Sequence, residues 1–231
     1  MKCEVCLSEE KPEGGGYILR TFDIQGDEVR KLLNGIEFTL KEHLSGVDLF
    51  FKNQKEMEKA KVVLSGRVYS EGWASIEEVV GSLLKEKDYT LSTAESCTAG
   101  LLSARLVNVP GSSAYFTGGV VCYSNELKVS LLGVNPTTLE EFGAVSEETC
   151  REMLKGLRER FKTDCGVAIT GIAGPGGSEN KPEGLTYIGV FLKGSVSIEK
   201  RVFTSGRNPN RFLSSQVALN MLRKKLLEEE L

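Results

Sequence analysis

The stretch from Cys165 to Thr170 reads CGVAIT and runs without a break into Gly171-Ile172-Ala173-Gly174-Pro175-Gly176-Gly177. Apolar and small residues without polar alternation make a strand that is covered on both faces, and such strands belong to mainly parallel sheets packed between helices. The glycines that follow let the backbone turn sharply and leave a concavity at the carboxyl end of the strand. Residues 75–231 supply partners for this strand: YTLSTAES at 89–96, GGVVCYS at 118–124, and the hairpin LTYIGVFL with SVSIEKRVFT. Helical periodicity falls between them, from Thr98 to about Val107, Glu126 to Leu132, Ser146 to Phe161 and about Asn210 to Glu229. The pattern predicts an α/β fold, a three-layer α/β/α domain with a mainly parallel sheet and an antiparallel hairpin at one edge.

A smaller module precedes it. YILRTFD, DEVRKLLNGI, VDLFFK, NQKEMEKAK and GRVYSEGW alternate as strand, helix, strand, helix and strand, which predicts a small α+β domain over 17–72. Residues 1–16 end in Gly14-Gly15-Gly16 and read as a loose arm. Ser75 and Glu78 have capping-box spacing ahead of the apolar Val79, Val80, Leu83 and Leu84, so the larger domain starts at 75.

Charge and residue counts remove several function classes. With 29 basic against 32 acidic residues the net charge is −3, which gives no long-range pull toward nucleic acid or anionic membranes. No apolar run is long enough to span a bilayer and MKCEVCLSEE has no apolar leader core, so a cytoplasmic protein is expected. The cysteines at 3, 6, 97, 122, 150 and 165 are too sparse for a disulfide framework, and reduced thiols are the default. Cys3-x-x-Cys6 lacks a second pair and reads as an inert arm rather than a metal site. One histidine, His43, excludes a His-rich metal cluster, and beside Glu42 it reads as a surface residue.

Ligands of such sheets gather at the carboxyl ends of strands, and three ends carry chemistry. The first, Ala94 to Gly100, is a small-residue turn that holds Ser96 near a helix start, where free amides can stabilise an oxyanion. The second, Tyr123 to Lys128, places a phenol and an ammonium about one helical turn apart. The third is the glycine-rich loop, a concavity suited to phosphate or carboxylate. Each also has a plain structural reading: a serine that caps, a lysine that is solvated, a loop that only connects. Cys97 is the rival nucleophile to Ser96, since thiolates at helix starts are activated, although small cysteines are more often buried. Glu95 could orient Lys128 or cap the helix.

The strings TAESCTAG, GGVVCYSNELK, GAVSEE, ITGIAGPGG and KPEGLTYIG, in this order and spacing, resemble the C-terminal domain of the CinA family, a nicotinamide mononucleotide deamidase family. The likeness covers roughly 75–230. Residues 17–72 resemble more weakly the KH-like region that precedes this domain in longer members. The large nucleotide-pyrophosphatase domain of those members has no counterpart in the sequence, and its activity is not carried over.

The resemblance implies hydrolysis of nicotinamide mononucleotide to nicotinate mononucleotide and ammonia. Carried over by position, Ser96 is the nucleophile with Tyr123 and Lys128 as its activating partners. Thr170 is a substrate-site threonine and Arg207 a substrate-binding arginine, in a string, TSGRNPNR, that departs from the commoner Gly-Asp-Arg. The physical reading agrees: an amide needs a nucleophile with a base, an oxyanion site and an acid for ammonia. Without a histidine in this domain, a lysine kept neutral by burial and a phenol are the proton carriers to hand. Amides from Cys97 through Thr98 to Ala99 would hold the oxyanion. Gly171, Gly174, Gly176 and Arg207 would hold the 5′-phosphate. No metal or cofactor is needed, and a homodimer is expected. The competing expectation is a competence-related, nucleic-acid-associated binding protein built on the small module. Against it, residues 17–72 contain no GXXG loop.

Overall fold

The structure, a computed structural model, describes residues 16–178 and 180–228, so the Cys3/Cys6 pair and all but the last residue of the expected arm lie outside it. The chain divides between Ala74 and Ser75 into two compact units. Among the described residues no helix is long and apolar enough to cross a membrane.

The first unit runs β1 (Tyr17–Thr21), α1 (Gly26–Leu32), β2 (Thr39–His43), β3 (Gly46–Phe51), α2 (Gln54–Val63), β4 (Val68–Glu71). The strands form one antiparallel sheet in the order β2-β3-β1-β4, the split β-α-β arrangement. Leu19, Val47 and Leu49 from the strands pack with Val29, Leu33, Met57 and Ala60 from the helices. The alternation read from the sequence lacked β2. TLKEH is an edge strand with no fully buried residue. It is held by backbone pairing to β3 and so carries little hydrophobic pattern.

His43 is not a surface residue. Its ring is half-buried, Nε2 lies 3.6 Å from Asp48 Oδ1, and Nδ1 faces the Ser45 amide at 3.3 Å. Asp48 is fully buried and receives the Arg20 guanidinium at 2.9 Å, while that guanidinium stacks on Trp73 with 4.6 Å to the ring centre. Burial alone would push the Asp48 carboxyl up, but His43 and Arg20 outweigh it and hold it below the usual carboxylate range.

The second unit runs α3 (Ile76–Glu86), β5 (Leu91–Glu95), α4 (Leu101–Val107), β6 (Phe116–Val121), α5 (Asn125–Leu132), α6 (Pro136–Phe142), α7 (Glu147–Phe161), β7 (Cys165–Gly171), β8 (Leu185–Leu192), β9 (Ser195–Val202) and α8 (Arg207–Glu228). The sheet order is β6-β5-β7-β8-β9. The first three strands are mutually parallel, β8 runs against β7, and β9 against β8, so four of five strands share one direction. Helix α7 covers β5, β7 and β8 with α5 and α6 against it, and α8 packs on β7 and β8 together with α3 and α4. The capping box of α3 is formed: the Ser75 amide donates to Glu78 at 2.7 Å and the Glu78 amide to Ser75 Oγ at 3.2 Å.

Three boundaries differ from the sequence reading in ways that matter. Helix α4 starts at Leu101, not Thr98, because Ala99 and Gly100 both take left-handed backbone, with φ of 49° and 89°. Helix α6 was not read, although Asn135 caps it and Pro136 opens it. Helix α8 begins at Arg207 rather than Asn210, since Pro209 falls in the first turn, where a missing amide costs nothing. Close packing then sets the remaining depth. Gly156 on α7 lets α5 approach so closely that a Cβ there would sit 1.8 Å from the Leu132 carbonyl oxygen.

Removing the Asp48 charge leaves Arg20 buried without its partner, so Asp48→Asn should destabilise the first unit by about 3–5 kcal/mol at pH 7. The lowered carboxyl stabilises the fold above the unfolded value of about 4, and that contribution fades as pH falls through the lower folded value. Urea titrations followed by Trp73, the single tryptophan, should show the wild type losing stability below about pH 4 and Asp48→Asn nearly flat there. Parallel curves for the two proteins would remove Asp48 as the source.

Candidate active site

The parallel register brings β5, β6 and β7 to a common edge, and the backbone continues the pairing past their ends. The Ser96 amide donates to the Ile169 carbonyl at 2.9 Å, and the Cys122 amide to the Glu95 carbonyl at 2.9 Å. These bonds place Ser96 between the two neighbouring strand exits. Glu95, fully buried, accepts the Leu102 and Ser103 amides at 3.0 and 2.8 Å and the Ser103 hydroxyl at 2.7 Å. Of its two readings, the cap of α4 is the one formed. Arg105 anchors the same helix, with Nε 2.6 Å from Glu77 of α3 and NH1 donating to Ser215 of α8 at 2.7 Å.

Lys128 lies on α5 and is 1% exposed. Its Nζ donates to Ser96 Oγ at 3.1 Å, to the Cys122 carbonyl at 3.0 Å and to the Tyr123 carbonyl at 3.2 Å. The five-residue spacing from Tyr123 thus works through the peptide carbonyl. The Tyr123 phenol is 57% exposed and accepts from Arg207 NH2 at 3.4 Å.

Ser96, Lys128 and Tyr123 open on a cavity of about 300 Å³ whose far wall is the glycine-rich loop, with Thr170, Gly171, Gly174, Gly176 and Arg207 on its lining. That volume lies at the lower end of small-ligand sites. Thr170 turns its hydroxyl to the Ala144 carbonyl at 2.7 Å and so fixes the segment before α7 against the site. Thr98 and Ala99 are off the cavity wall, Thr98 being fully buried and Ala99 exposed.

The amide supply is narrower than the sequence suggested. Ala99 N–H turns back to the Ser96 carbonyl at 3.1 Å; the amides of Cys97, Thr98 and Gly100 make no hydrogen bond among the described residues, and of the three residues Cys97 alone lines the cavity. In the loop, the Gly176 amide is taken by Glu183 Oε2 at 2.8 Å, while those of Ala173, Gly174 and Gly177 make none among the described residues. Of the three residues that hold these walls, sequence reasoning found Arg207 and missed Asn210 and Arg211. Asn210 donates to the Ala173 carbonyl at 3.1 Å, Arg207 to the Gly174 carbonyl at 2.5 Å, and Arg211 to the carbonyls of Cys97 and Thr98 at 3.1 and 2.9 Å. Their one visible signal is the spacing 207, 210 and 211, which is a single face of a helix once the helix is known to start before Pro209.

Cys97 also lines the cavity, but burial pushes its thiol up to about 12. Among the described residues no group of three or more His, Cys, Asp or Glu is placed to hold a metal ion.

Fold and site together define a three-layer α/β domain with a buried serine–lysine pair at the carboxyl edge of its parallel strands. The chain belongs to the CinA family: the model of the CinA C-terminal domain matches residues 73–226. A competence-damage inducible protein of Alkaliphilus oremlandii is 46% identical over 175 residues, 75% of this chain and 42% of that protein. One from Clostridium perfringens is 41% identical over 228 residues, 90% of this chain and 55% of its own length. The chain thus spans about half the length of the curated relatives it matches. A solved CinA-superfamily protein of Klebsiella pneumoniae superposes with a TM-score of 0.65 at 31% identity, over 67% of this chain and 99% of that one.

A thiol at about 12 is ionised in fewer than about one molecule in 10⁴ at pH 7.5, too few for a nucleophile. Cys97 should therefore resist iodoacetamide at pH 7.5 when peptides are followed by mass spectrometry. Alkylation at the rate of an unhindered cysteine would return Cys97 to contention with Ser96.

Proposed function

We propose that the chain is a serine amidohydrolase that converts nicotinamide mononucleotide to nicotinate mononucleotide and ammonia. The observation that carries this reading is the buried Lys128 Nζ, 3.1 Å from Ser96 Oγ. The carbonyl oxygens of Cys122 and Tyr123 also accept from Nζ and hold the amine beside the serine hydroxyl. The reaction uses the neutral amine as its base.

Ser96 Oγ attacks the carboxamide carbon while its proton passes to Lys128. The carbonyl oxygen gains the negative charge, and the Cys97 amide, on the cavity wall, is the donor of this turn placed to meet it. Collapse of the tetrahedral adduct breaks the carbon–nitrogen bond, and the ammonium of Lys128 returns the proton to the departing nitrogen as ammonia. Water then attacks the acyl-serine, losing a proton to Lys128; the bond between the acyl carbon and Ser96 Oγ breaks as Lys128 returns that proton to Oγ, and the acid is released. The 5′-phosphate is assigned to Arg207 and the free amides of the glycine loop. The Tyr123 phenol, bonded to Arg207, belongs to this binding end rather than to the proton path.

Ser96→Ala should lower the rate of ammonia release from nicotinamide mononucleotide by at least about 10³-fold without loss of fold. Lys128→Met should lower kcat by about 10²- to 10⁴-fold with KM little changed, because proton transfer belongs to the transition state. Retained turnover in either variant would overturn the pair.

If the phosphate is anchored by the loop and Arg207, nicotinamide riboside should be a poorer substrate by about two orders of magnitude in kcat/KM. Arg207→Ala should raise KM for the mononucleotide and leave the riboside unaffected. Equal efficiencies for the two substrates would sink the phosphate assignment while sparing Ser96.

A further inference from the structure

We infer that Arg211 is a positioning residue for the oxyanion site: it holds two successive carbonyls of the Ser96 turn and so steadies the backbone that aims the Cys97 amide at the cavity. This rests on the amidohydrolase reading for its chemistry, but the geometry is independent of the substrate.

In a planar trans peptide the carbonyl of one residue and the amide of the next point in opposite directions, so fixing the carbonyl aims the amide. The turn contains three such planes. The Ser96–Cys97 plane is fixed by the Ala99 amide on the Ser96 carbonyl at 3.1 Å. The Cys97–Thr98 plane is fixed by Arg211 Nε on the Cys97 carbonyl at 3.1 Å. The Thr98–Ala99 plane is held by Arg211 NH2 and by the Leu101 amide, both on the Thr98 carbonyl at 2.9 and 3.1 Å. The guanidinium therefore holds one plane alone and shares a second, and that second plane carries the Ala99 amide, which fixes the Ser96 carbonyl and so aims the Cys97 amide.

The arrangement is costly enough to need such a lock. Ala99 has φ of 49°, a left-handed conformation that a non-glycine residue leaves when nothing holds it. No regular helix imposes order on residues 96–100, since α4 begins at Leu101. Arg211 comes from α8, a 22-residue helix seated on the sheet, so it adds a second rigid reference to the one that the Ser96 amide makes with Ile169 of β7. NH1 is itself steadied by Asn208 Oδ1 at 3.4 Å. The fork geometry also explains why this residue type is used: a lysine offers one point of contact and cannot hold two successive carbonyls in fixed relation.

The test uses the full chain with Arg211→Gln and Arg211→Lys, and reads the rate at which a fluorophosphonate labels Ser96. In that reaction Ser96 Oγ forms a bond to phosphorus, fluoride leaves, and the serine proton goes to Lys128. The phosphoryl oxygen occupies the oxyanion position, so the rate senses the turn amides without any assumption about substrate. Arg211→Gln should slow labelling by at least about tenfold with an unchanged melting temperature, and Arg211→Lys should fall between it and wild type. Ammonia release from nicotinamide mononucleotide should lose kcat by a similar factor while KM stays within about threefold. Labelling within twofold of wild type in Arg211→Gln, or slowing that merely follows a lowered melting temperature, would overturn the inference. Labelling of Ser96 by wild type without any ammonia release would instead sink the substrate reading, and the effect of Arg211 on labelling would still decide this one.

Discussion

Two hydrogen bonds that extend the parallel ladder beyond its strands hold the rest of the site in place: Ser96 N–H to Ile169, and Cys122 N–H to Glu95. Parallel pairing keeps successive strand ends level, so residues 96, 122 and 170 leave the sheet in one row. The peptide carbonyls of Cys122 and Tyr123 then lie where an amine from the next helix can reach both and the serine together. Lys128 is as much a product of this row as of its own helix. Without the level strand ends, its burial would have no polar partners to offset the loss of water.

The carboxylates around the site are committed to backbone amides. The Glu95 carboxylate, one residue from the serine, is spent on the first amides of α4 and on Ser103. The Glu183 carboxylate is spent on the Gly176 amide, so one of the loop donors that a phosphate could have used is already occupied. What the loop keeps open are the amides of Ala173, Gly174 and Gly177, with Arg207 beside them. The loop thus has fewer open donors than its four glycines suggest, because part of its backbone is committed to Glu183.

The architecture of the larger unit was legible because its signals are local: the uninterrupted apolar β7, the glycines after it and the Ser75 capping box each carry their own physical meaning. The small unit was less so. β2 has a polar sequence and exists through its partner, a kind of information that periodicity does not hold. Ser96, Lys128 and the loop were found because they sit at strand exits. Tyr123 was read through its phenol, whereas its peptide carbonyl is the group that meets Lys128, since spacing along a chain gives the position of a residue but not which of its atoms does the bonding. Asn210 and Arg211 were invisible for a related reason. They act on Ala173 and on Cys97, far away in sequence, through contacts that only the packing of α8 creates.

Helix α8 follows every strand of the sheet in the chain, yet its first turn grips both walls of the cavity. During synthesis on the ribosome, the serine turn and the glycine loop emerge well before the residues that aim their amides. A nascent chain that has made β5 through β9 holds Ser96 and Lys128 but lacks the clamp. The two walls around that pair are therefore pinned only once the polypeptide has grown past Arg211.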